Sequence, residues 1–173
     1  MVILLIAGCQ DSGVARKVGS SRKMFPDQES WESTVSITRE GRMVARASSR
    51  RMVQYDRQNL AHLFGDVEVD FYNSEGEHVS TMKADSADIN MLTNNMNAFG
   101  NVVIHSDSGL VLHTQILNWS NEYDMVSTPE SVMFATPELD TLFGIGFESD
   151  VDLTHWKIFK PSGVTNRGLA DDR

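Results

Sequence analysis

From Trp31 onward, apolar and polar residues alternate with a period of two, and turn-forming residues break the alternation at short intervals. In Asp66-Val67-Glu68-Val69-Asp70-Phe71 the acids fall on one side and Val67, Val69 and Phe71 on the other. Successive side chains of a strand point to opposite faces, so this spacing predicts a strand wet on one face and buried on the other. Asn73-Ser74-Glu75-Gly76 then predicts a reversal, with Gly76 free to take a positive φ. Helical periodicity is hard to find, and the expected fold class is all-β.

The pattern repeats. Gly100-Asn101-Val102-Val103-Ile104 stands 35 residues after the strand that opens at Gly65, and Asp107-Ser108-Gly109 supplies its turn. The return strands align at a constant offset of 30: Met82-Lys83-Ala84 with Leu112-His113-Thr114, and Ala87-Asp88-Ile89-Asn90 with Leu117-Asn118-Trp119-Ser120. A third edge, Ser131-Val132-Met133-Phe134, places Val132 30 residues after Val102. An earlier, diverged unit runs from Ser33 to Arg39, turns at Glu40-Gly41 and returns from Arg42 to Tyr55. One such hairpin cannot bury its apolar face alone, whereas stacked neighbours form a continuous core. The expectation is therefore an elongated single domain of stacked antiparallel hairpins in two facing layers, with exposed edge strands at both ends.

Composition narrows the function. Of the 173 residues 40% are hydrophobic, enough for one domain with an apolar interior. The net charge of −9 is uneven: residues 1–57 carry ten Lys/Arg against six Asp/Glu, and residues 58–173 carry five against eighteen. A long acidic surface repels phosphate, so no nucleic-acid partner is expected. The basic portion, with Arg39, Arg42, Arg46, Arg50 and Arg51, suits anionic headgroups at a membrane, or is simply a solvated face.

Motifs for catalysis are missing from the pattern. The histidines His62, His78, His105, His113 and His155 have no H-x-x-x-H spacing and no companion cysteine, so no metal site or other cofactor is expected. His105 and His113 fall on strands with apolar alternate residues and should face solvent. No G-x-S-x-G elbow occurs, and Asp150 and Asp152 read as turn or solubility residues. Gly144-Ile145-Gly146 lacks the third glycine and the helix of a nucleotide loop; it suits close approach of backbone to backbone. The chain is expected not to be an enzyme.

Met1–Cys9 reads MVILLIAGC, an apolar run ending in Gly8 and the only cysteine. It resembles a bacterial lipoprotein lipobox, in which Cys9 receives the lipid, so a membrane anchor is expected there. Two departures stand out: no Lys or Arg precedes the run, and the run is short for a signal peptide. The alternative is a buried strand containing Cys9. Residues 10–30 read as a flexible tether, 31–163 as the β domain and 164–173 as a disordered tail.

A family resemblance joins these pieces. Gly144-Ile145-Gly146-Phe147-Glu148-Ser149-Asp150, then His155-Trp156-Lys157-Ile158 and Ser162-Gly163, resemble the C-terminal signature of the LptC family of lipopolysaccharide-transport proteins. Gly65-Asp66-Val67, Phe71-Tyr72, Gly76-Glu77, Ala84-Asp85, Gly100-Asn101-Val102-Val103 and Leu117-Asn118-Trp119 resemble it in the same order. The resemblance implies a periplasmic β-jellyroll folded like a taco, whose groove holds lipid A acyl chains of lipopolysaccharide. It also implies two partners: the permease subunits of an inner-membrane ABC transporter, and a periplasmic bridge protein of similar fold, met through strand edges. Many relatives use an N-terminal transmembrane helix where this chain has the lipobox-like segment.

The groove residues would be Val67, Val69, Phe71, Met82, Ala84, Ile89, Val102, Ile104, Leu112, Leu117, Trp119, Val132 and Phe134. Their alternation alone fits a filled sandwich core equally well, and a structural or assembly lipoprotein without a ligand is the other reading. The family resemblance favours the groove.

Overall fold

The computed structural model of the protein describes residues 25–137 and 140–166. Nine strands run in chain order: β1 Gln28–Arg39, β2 Arg42–Tyr55, β3 Leu60–Tyr72, β4 His78–Asn90, β5 Met96–Ser106, β6 Val111–Ser120, β7 Met125–Ala135, β8 Asp140–Asp150 and β9 Trp156–Asn166. Each pairs antiparallel with the next, giving one open nine-stranded sheet in the order β1 to β9. A single 3₁₀ turn, Asp56–Gln58, joins β2 to β3. The fold is all-β, as the alternation predicts.

The turns form for local reasons. Glu40 and Gly41 both take positive φ between β1 and β2, the backbone twist that suits a two-residue hairpin. Between β3 and β4, the Asn73 side-chain oxygen accepts from the Glu75 and Glu77 N–H groups at 2.9 and 3.0 Å. Gly76 sits at φ +85° in that turn. β1 begins inside the stretch read as tether, and β9 continues past Gly163 into the stretch read as tail.

A line of irregularities crosses the sheet near mid-strand. The registers shift between Ser48 and Arg51, Phe64 and Val67, Lys83 and Ser86, Phe99 and Val102, and Thr128 and Ser131. Gly65-Asp66 and Gly100-Asn101 occupy two of these positions with positive φ at all four residues. A bulge bends its strand, and aligned bulges bend the whole sheet. The consequence is visible in Phe71 and Trp119, which lie toward opposite ends of the strands yet have ring centroids 5.4 Å apart. The two expected layers are thus two halves of one sheet, with every strand running through both.

Apolar side chains fill the space between the halves. One row crosses all nine strands in register: Val35, Ala47, Val69, Met82, Ile104, Leu112, Phe134, Leu142 and Val164. A second, in the opposite half, runs from Ala61 through Ile89, Met96, Trp119 and Val126 to Ser149 and Trp156. Their burial at about 25 cal/mol per Å² of apolar surface is the main stabilising contribution.

Candidate functional site: the space between the two halves

All thirteen residues expected to line a groove are buried in one apolar cluster. The structure brings them together with others that were not among the expected groove residues, including Ala45, Ala47, Leu63, Ala87, Ala98, Val126, Phe147 and Leu153. The signal for several of these was available: Ala87 and Ala98 extend the same alternation, but small side chains carry little hydrophobic weight in a pattern. Leu153 lies in a turn, outside any strand period, and no sequence spacing points to it.

The interior is closely packed. Besides the Phe71–Trp119 contact, the Phe134 ring stands 5.3 Å from Phe147 and 4.8 Å from Trp156. Trp156 comes from the half opposite Phe134, so these aromatics join the layers.

Two sets of polar contacts close the side where strand ends meet. Arg39 Nη2 forms an ion pair with Asp124 Oδ2 at 3.0 Å, and Arg39 Nη1 donates to the Asn121 carbonyl. This ties the β1–β2 hairpin to the β6–β7 turn. Further along, Ser80 Oγ donates to the Val151 carbonyl and Ser106 Oγ to the Asp152 carbonyl at 2.7 Å. The β8–β9 turn is thereby held against β4 and β5.

At the β8–β9 end the closure stops. A cavity of about 330 Å³ opens there, lined by Leu142, Phe143, Trp156, Ile158, Pro161, Gly163 and Val164. It sits where both apolar rows run out: Val164 is 65% exposed and Trp156 40%, against 0% for Phe134 one strand pair earlier. None of the groove residues expected from sequence lines this opening. The glycines beside it confirm the close approach expected of Gly144-Ile145-Gly146, since a Cβ on Gly144 would lie 2.8 Å from the Lys160 carbonyl oxygen. A second cavity, about 390 Å³, lies at the break in the β6–β7 ladder, beside Val102, His113, Thr114, Val132, Met133 and Phe143.

The arginines read as a basic stripe are paired. Arg46 binds Asp70 at 2.9 Å, Arg50 binds Asp66, Arg51 binds Glu29, and Arg42 donates to the Ser74 carbonyl at 2.9 Å. With Arg39 on Asp124, the stripe is not a bare cationic field. Three histidines also meet carboxylates: His62 with Asp88, His78 with Asp107 at 2.9 Å and His155 with Asp150 at 2.6 Å. Among the described residues no three His, Cys, Asp or Glu side chains gather as a metal site. Cys9, the expected lipid attachment point, lies outside the described residues.

An open antiparallel sheet folded over an apolar interior, with one apolar end open, has the form of a β-taco. The family model described as "Lipopolysaccharide-assembly, LptC-related" matches residues 31–160, and the chain belongs to that family. No curated protein matches it. Membership gives the chain a role in lipopolysaccharide assembly in the cell envelope, within a family of transport components that is not a known enzyme family. No helix among the described residues is long and apolar enough to cross a membrane.

Proposed function

We propose that the protein holds the acyl chains of lipopolysaccharide between its two halves and passes them on without covalent chemistry. The lipid comes from the permease subunits of an inner-membrane ABC transporter and goes to a periplasmic bridge protein of similar fold. Lipidated Cys9 keeps the domain at the periplasmic face of the inner membrane. The observation that carries this reading is the nine-strand apolar row that emerges at Val164 in an open apolar cavity. Such a row offers a continuous path on which one methylene after another exchanges protein contacts for similar ones, so little free energy separates successive positions.

Because the interior is packed, loading requires the halves to part. The tie across the strand ends is made of only a few polar contacts, so it is the weaker side; the opposite side is a covalent bend. Among the described residues β1 and β9 each present one free edge, where main-chain groups can accept a partner strand. The packed aromatic interior also favours a second reading, a structural envelope lipoprotein with no ligand.

The two are separated by incubating delipidated protein with lipopolysaccharide that carries a photo-crosslinker on an acyl chain. Adducts at Phe71, Ile104 or Trp119 are expected, and their loss in Ile104→Arg. Labelling confined to exposed loops, or full uptake by Ile104→Arg, would refute the carrier reading.

A further inference from the structure

Trp119 stands near the end of β6 and is only 2% exposed. Its indole ring rests on Phe71, and its register partners are Met96 on β5 and Val126 on β7. These neighbours are apolar, and the indole Nε1 is enclosed without any hydrogen-bond partner among the described residues. An indole nitrogen is a donor only. Buried Trp N–H groups normally find an acceptor, and leaving one unmade costs folding free energy that a Phe at the same place would not incur. Packing therefore accounts for an aromatic ring at this position but not for the N–H.

The place of the orphan donor points to its use. Asn121, two residues further along, gives the carbonyl that Arg39 binds in tying the halves together. Trp119 thus lies just inside the line of closure, at the boundary between the polar rim and the apolar interior. A fatty acyl chain that enters between the halves with its hydrocarbon inward brings its root to the same boundary. That root carries oxygen: an ester or amide carbonyl, or a hydroxyl near the start of the chain.

We propose that the Trp119 indole N–H is the polar anchor for the oxygen-bearing root of a bound acyl chain. This rests on the acyl-carrier reading above and adds a requirement to it: the favoured ligand is an acyl group with an acceptor oxygen near its root, and not hydrocarbon alone. The anchor fixes how deeply a chain sits, because sliding inward or outward by a few methylenes breaks the hydrogen bond. It also discriminates, since a ligand lacking the oxygen leaves the donor unpaired.

The test uses full-length protein with two probes, methyl 3-hydroxymyristate and tetradecane, which share a chain length and differ in oxygen. Wild-type protein should bind the ester about tenfold more tightly, the equivalent of one good hydrogen bond. Trp119→Phe should bind both equally while keeping or raising its thermal midpoint, since it loses only an unpaired donor. In ¹⁵N-labelled wild-type protein the Trp119 indole resonance should move on adding the ester and stay still with tetradecane. That measurement needs no variant and stands even if Trp119→Phe folds poorly. An unmoved resonance in protein that binds the ester, or an ester preference retained by Trp119→Phe, overturns the anchor and leaves the carrier reading standing. Failure of wild-type protein to bind either probe overturns both.

Discussion

Arg39 and Asp124 form an ion pair between the first hairpin and the turn after β6, with both side chains about one-third exposed or less (33% and 28%). Partial burial spares the pair some of the screening that weakens surface ion pairs, and the Asn121 carbonyl gives the same guanidinium a second acceptor. The contact joins the two halves of the sheet on the side that the Ser80 and Ser106 hydroxyls also help to close.

Arg39→Ala should therefore loosen the strand-end side locally before it weakens the whole fold. Loss of a charged contact exposed by about one-third costs about 1 kcal/mol, which corresponds to amide exchange roughly fivefold faster at residues 40–41 and 121–124. The double variant Arg39→Asp with Asp124→Arg should recover only part of the protection, because a carboxylate at position 39 cannot donate to the Asn121 carbonyl and position 124 has φ +57°. Unchanged exchange in Arg39→Ala would mean that aromatic packing alone holds the halves together.

The two Gly-polar bulges differ in tolerance. Gly65 and Gly100 have nearly the same φ, +72° and +76°, so a side chain strains either backbone. Their surroundings are unlike: a Cβ on Gly65 would meet Arg50 at an ordinary 3.5 Å, whereas on Gly100 it would collide with the Asp85 carboxylate. Gly100→Ala should cost about 1–3 kcal/mol more than Gly65→Ala, the usual range for overpacking, read as the difference in urea midpoint. Equal midpoints would show that Asp85 swings away freely, giving up its 2.9 Å hydrogen bond from Asn101.

How legible the fold was depends on side-chain period. Val67, Val69 and Phe71 announce β3 because a strand exposed on one face must alternate, and the offset of 30 places Met82 with Leu112 on the same row, where the register puts them. The bend was not legible. A bulge adds one residue, and Gly-Asp or Gly-Asn in a strand can equally be read as a strand start, so the halves of one strand look like one flat element. For the same reason the closing contacts of Arg39, Ser80 and Ser106 were invisible: each joins residues 46 to 85 positions apart. The open apolar end was not legible because Trp156 and Ile158 stand only as parts of a family signature and Val164 falls in the stretch read as tail, whereas all three belong to the last strand, Trp156–Asn166.

Acid should destabilise the protein in two steps. Burial lowers the His113 pKa below its usual value, and the neighbouring His105 lowers it further. A base with a depressed folded pKa binds more protons when unfolded, so its contribution is present above the usual value near 6.5 and lost as pH falls below it. Asp150 acts at lower pH. Burial raises its carboxyl, but hydrogen bonds involving Asp152, His155 and Ser149 outweigh that and bring it from 3.8 to about 2. Its contribution is present above 3.8 and is lost as pH falls from there toward 2. Denaturant midpoints measured from pH 8 to 2 should fall in both windows, His113→Gln flattening the first and Asp150→Asn the second. A first step that survives His113→Gln would assign it to another histidine.

Gly144 controls whether β9 can lie against β8. It pairs with Pro161 in register, and a Cβ there would strike the Ile158 side chain and come within 2.8 Å of the Lys160 carbonyl. Backbone cannot give way as a flexible side chain can, so Gly144→Ala should push β9 outward, spoiling the walls that Ile158 and Pro161 give the open apolar cavity. Lys157 lies on β9 and is a trypsin site once the strand leaves the sheet, whereas Lys160 precedes Pro161 and resists trypsin. Cleavage there tracks the population of the opened strand, and a strain of about 1.4 kcal/mol raises that population tenfold. Gly144→Ala should therefore be cut about tenfold faster at Lys157, with little change in the far-ultraviolet spectrum of the remaining sheet. Gly163→Ala is the control, because nothing lies within 4 Å of a Cβ built there and its φ lies outside the left-handed region. If both variants resist trypsin like the wild type, β9 is held by more than its fit against Gly144, and the opening at that end is more rigid than its exposed aromatics imply.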